Sequence, residues 1–147
     1  MTRASTVRAA IVTAIEEANP DVRATKQDRF RHLDAGASRV ETAPDRTFQL
    51  QLSAQPQRLG PSIGCDMFAV EWLLTFSYAS SQSGIEDRIA LDTERFWGPV
   101  ERLSDTVAGL ARVDIAPQGL NDSVDGVVES SFSVIATYRL DAAVITS

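Results

Sequence analysis

Three stretches of this chain alternate apolar and polar residues over lengths that suit only an extended strand with one buried face. Phe48, Leu50 and Leu52 form the first. Phe68, Val70, Trp72, Leu74, Phe76 and Tyr78 form the second, and Phe132, Val134, Ala136, Tyr138 and Leu140 the third. Successive side chains of a strand point to opposite faces, so a period of two means one face on a core. The predicted strands are 46–54, 67–79, 110–116 and 127–140. A strand of 13 residues exceeds the usual ~5–6, so 67–79 is expected either to run past the sheet core or to carry a bulge. Its second face (Ala69, Glu71, Leu73, Thr75, Ser77) is mixed, and Trp72 reads as core.

Two helices break the strand pattern. Val7, Ala10, Ile11, Ala14, Ile15 and Ala18 recur at three- and four-residue spacing, which predicts a helix over 5–18 with a narrow apolar stripe. Ser5 or Thr2 supplies its N-cap, and Asn19-Pro20 stops it. The second helix is expected within 83–103, opened by a capping box of Ser83 and Glu86. Ile85, Ile89, Phe96 and Val100 share one side, with Leu103 just beyond. Gly98-Pro99 marks an end or kink near its last third. Asp87, Glu94, Arg95, Glu101 and Arg102 face water. Asp92 is read with Arg88 or Arg95 as a surface pair worth ~0.2–0.5 kcal/mol.

The order predicts an α+β fold with an αββαββ layout: an antiparallel four-stranded sheet with two helices packed on one face. A length of 147 residues suits one domain, 1–147. Residues 21–46 are the least regular part, with six basic and five acidic residues in a chain of net charge −6. A connection this long is either solvated or orders against a partner subunit. Residues 55–66 (QPQRLGPSIGCD) and 117–126 read as loops from their prolines, glycines, Asn and Asp.

The chemistry-bearing residue types are scarce. One His and one Cys occur. His32 beside Asp34 lacks a nucleophile, so no catalysis is expected there. Cys65 reads as a small half-buried apolar residue with no partner for an intrachain disulfide. Asp122, Asp125 and Glu129 do not match calcium-loop spacing, and no phosphate loop, dinucleotide fingerprint, serine elbow or zinc helix is present. No catalytic, cofactor-binding or metal site is therefore assigned, and no enzyme activity or cofactor is expected. The acidic balance argues against wrap-around DNA binding, which needs clustered cations. No run approaches the ~18 apolar residues of a membrane helix, and no signal-peptide core opens the chain, so a soluble, unexported protein is expected.

The opening STVRAAIVTAIEEANP, the segment SGIEDRIALDTERFWGPVERL and the closing SFSVIATYRLD together resemble the tail terminator, or tail-completion, proteins of long-tailed phages and gene transfer agents. The resemblance lies in layout and size over nearly the whole chain. It implies a virion structural protein made in the host cytoplasm, assembled as a homo-hexameric ring at the head–tail interface. Such a ring stops growth of the tail tube and joins the tail to the head. Its implied partners are the tail tube protein and a head-completion or connector protein, with DNA passing through the lumen without specific binding. Residues 21–46, 55–66 and 117–126 are then the docking elements. Two alternatives are another neck or tube component, and a ferredoxin-like dimeric domain binding a small apolar ligand on the Trp72 face.

Overall fold

In a computed structural model of the chain, the described residues are 2–18, 30–32, 46–62, 65–79, 84–122 and 126–141. The elements are α1 (Arg3–Glu17), β1 (Phe30–His32), β2 (Arg46–Ser62), β3 (Cys65–Ala79), α2 (Ile85–Glu101), a 3-10 turn (Arg102–Asp105), β4 (Leu110–Asp122) and β5 (Val127–Asp141). The fold is α+β. Four long antiparallel strands lie in the order β2-β3-β5-β4 with both helices on one face, and β1 adds a short parallel edge beside the start of β2.

The period-two residues build the core as their spacing dictates. Phe48, Leu50, Val70, Trp72, Leu74, Phe76, Tyr78, Phe132, Val134, Ala136 and Tyr138 are all buried beneath the helices. From above, α1 contributes Val7, Ile11 and Ile15, and α2 contributes Phe96 and Val100. Ile85, Ile89 and Leu103 pack partly buried against the same cluster. The centre is aromatic: Phe76 lies 4.9 Å from Phe96 and 5.9 Å from Phe132, ring centre to ring centre. Trp97, to which the helical spacing assigns no role, stands edge-on to Phe132 at 6.0 Å. Trp72 is 2 % exposed, as a core residue should be.

The helix ends differ in detail. Helix α1 opens two residues earlier than its periodicity predicts, because the Thr2 hydroxyl accepts the Ser5 backbone N–H at 3.0 Å and the first turn forms there. The capping box of Ser83 and Glu86 falls in part outside the described residues at the start of helix α2. Gly84 is the N-cap residue, in the left-handed region at φ +69°, and no side chain caps the turn; Ser83 lies outside the described residues. Gly98-Pro99 does not end the helix. Pro99 sits in its last turn, where the missing N–H removes one hydrogen bond and only two helical residues follow. Asn19-Pro20 lies outside the described residues.

Three irregular stretches contain strand. Residues 55–62, whose prolines and glycines predict a loop, continue β2, and Cys65 already pairs with Ser62. The extra residues are absorbed as register shifts at Leu52/Ala54, Ala54/Gln57 and Arg58/Gly60, all on β2. Strand β3 itself pairs with β5 from Cys65 to Ala79 without a bulge. Residues 117–122 likewise extend β4, with a shift between Pro117 and Gly119; 123–125 lie outside the described residues. Within 21–46 the described residues are β1, paired Phe30 to Arg46 and His32 to Phe48, and Arg46, which opens β2.

Polar ties fix the helix layer to the sheet. The Arg3 guanidinium donates to the Ala108 carbonyl at 2.9 Å, and the Arg139 N–H donates to the Gly109 carbonyl at 2.9 Å. Gly109 has φ +82°, and a Cβ there would stand 3.3 Å from the Arg3 guanidinium and 3.4 Å from the Arg139 carbonyl. The backbone angle favours glycine here, while the contacts would ask only a small shift of the Arg3 side chain.

Candidate functional site

The chemistry-bearing side chains do not converge. His32 lies in β1, half-buried, with its ring 5.2 Å from Phe48. Asp34 and Asp125 lie outside the described residues. Cys65 opens β3 opposite Ser62 and Asp141. Among the described residues no three His, Cys, Asp or Glu side chains cluster as metal ligands would, and no helix is long and apolar enough to cross a membrane.

One charged group lies where its helical spacing does not put it. Asp92 is not on a solvated face: it is 1 % exposed, and the Tyr78 hydroxyl, itself buried, donates to its Oδ2 at 2.9 Å. Helix α2 is rotated so that Asp92 looks down onto β3, a turn away from Phe96. Glu86, Asp87, Glu94, Arg95, Glu101 and Arg102 do face solvent. Tyr138 is a second buried phenol, stacked at 5.9 Å on Phe68, and burial raises its pKa above the ordinary value of 10.0. The unfolded chain therefore releases this proton before the folded one does. The stability it contributes is fully present below pH ~10 and is lost as pH rises through the folded value. Denaturant midpoints taken near pH ~8 and pH ~11 should fall more steeply for the parent protein than for Tyr138→Phe; parallel losses would contradict this.

The structure instead concentrates exposed surface at the two hairpins. In β2 every residue from 51 to 59 is exposed, including Leu52 at 59 % and Leu59 at 55 %. Alternation alone would bury Leu52 on the core face. It keeps that face but lies at the sheet margin, at the rim of an open groove of about 210 Å³ with Ala4, Arg8, Pro56, Val70 and Trp72. Across this hairpin Arg58 and Asp66 form a 2.8 Å ion pair. In β4 residues 116–121 are exposed, with Leu120 at 61 %, and Arg112 pairs with Asp114 at 2.8 Å. The strand register sends the hairpins to opposite ends of the sheet. The Ser62–Cys65 pair lies level with Asp141, and the Asp122–Val128 pair lies at the other end, level with Tyr78.

A second open groove, of about 380 Å³, runs between Ala10 and Ala14 of α1 and Leu103 and Val107. The Trp72 groove is below the ~300–1,000 Å³ typical of small-molecule sites and is open to solvent. Trp72 and Phe76 are held in the helix-covered core. No protein-family model matches the chain, and no curated protein matches it in sequence.

Proposed function

We propose that this chain is a tail terminator: a structural protein that closes the head-proximal end of a phage-type tail as a homo-hexameric ring and joins it to the head. The observation that carries the reading is the αββαββ order combined with two long hairpins whose ends lie at opposite ends of one sheet. A terminator meets two different neighbours, the tail tube on one side and a head-completion or connector protein on the other. Opposed hairpins give it two distinct ends to present. The helix-covered face supplies the rigidity such a ring needs. Net charge −6 suits a lumen through which DNA passes without being held.

Negative-stain imaging of the concentrated protein tests the ring directly. Closed rings of uniform diameter with a central hole are the expected result, whereas open tubes of indefinite length mark a tube protein instead. Deleting the gene from the particle-producing genome should give overlong tails without heads. Normal particles from that deletion would sink the terminator reading. If Trp72 fluorescence were quenched saturably by small apolar ligands, the ligand-binding alternative would replace it.

A further inference from the structure

We draw no further inference here: the strongest candidate, the open apolar groove of about 380 Å³ between Ala10 and Ala14 of α1 and Leu103 and Val107 beyond α2, carries nothing because nothing in the structure shows what covers it.

Discussion

Phe96→Ala is expected to lower the unfolding free energy by about 3–5 kcal/mol, which corresponds to a fall in Tm of roughly 6–20 °C for a chain of this size. Phe96 is fully buried, and its ring centre lies 4.9 Å from Phe76 and 5.0 Å from Phe132. These three aromatic rings belong to α2, β3 and β5, so filling the space left by the ring requires the helix to move against the sheet. Removal of a large buried side chain costs its transfer free energy plus a cavity term, and the cavity term grows when the surroundings cannot collapse. Leu91→Ala, on the same helix but 36 % exposed, is the control and should cost far less. Thermal unfolding followed by circular dichroism reads both. Equal losses at the two positions would show that α2 does not anchor the fold through this cluster.

Tyr78→Phe is expected to cost about 1–3 kcal/mol, the range for removing one partner of a buried hydrogen bond. The substitution keeps the ring, 2 % exposed in the core, and removes only the hydroxyl that donates to Asp92 Oδ2 at 2.9 Å. The carboxylate stays in place, 1 % exposed, with one donor fewer. A buried acceptor that loses a donor bears most of its desolvation penalty, which exceeds the net worth of an average hydrogen bond. Guanidinium unfolding at neutral pH measures the loss, and an unchanged slope of free energy against denaturant would localise it to the folded state. In a double-mutant cycle with Asp92→Asn, a coupling near zero would remove this bond from the account of why α2 sits at its observed rotation. The pair orients the helix over β3, because the Tyr78 hydroxyl is aimed at one helical position 14 residues along the chain.

Much of the architecture is legible in the spacing of apolar residues. Both helical stripes and the inward faces of β3 and β5 lie where that spacing puts them, because a period of two or of 3.6 has one way to bury its apolar side. The aromatic face of β3 is the clearest case: all six residues from Phe68 to Tyr78 point into or toward the core. The two hairpin segments, 55–66 and 117–126, are also legible as distinct stretches of chain, though as loops. Their glycines and prolines suggest a break in the chain, whereas bulges and edge positions let β2 carry Pro56, Gly60 and Pro61, and β4 carry Pro117 and Gly119, as strand.

What the sequence determined by itself is the pattern of one-sided strands and helices, and hence the α+β class, since amphipathic periodicity is a local property of neighbouring residues. The tertiary structure alone decided four other things: how far the hairpins run, that residues 30–32 pair with β2, that Leu52 is exposed, and that Asp92 is buried. Each depends on a partner distant in the chain. A polar strand segment such as 51–59 has no core signal of its own and is held by its ladder to β3. A strand residue is covered only if a helix reaches it, and α1 leaves Leu52 at the rim. A carboxylate can be buried on a helix only where another element brings it a donor, and for Asp92 that donor comes from β3.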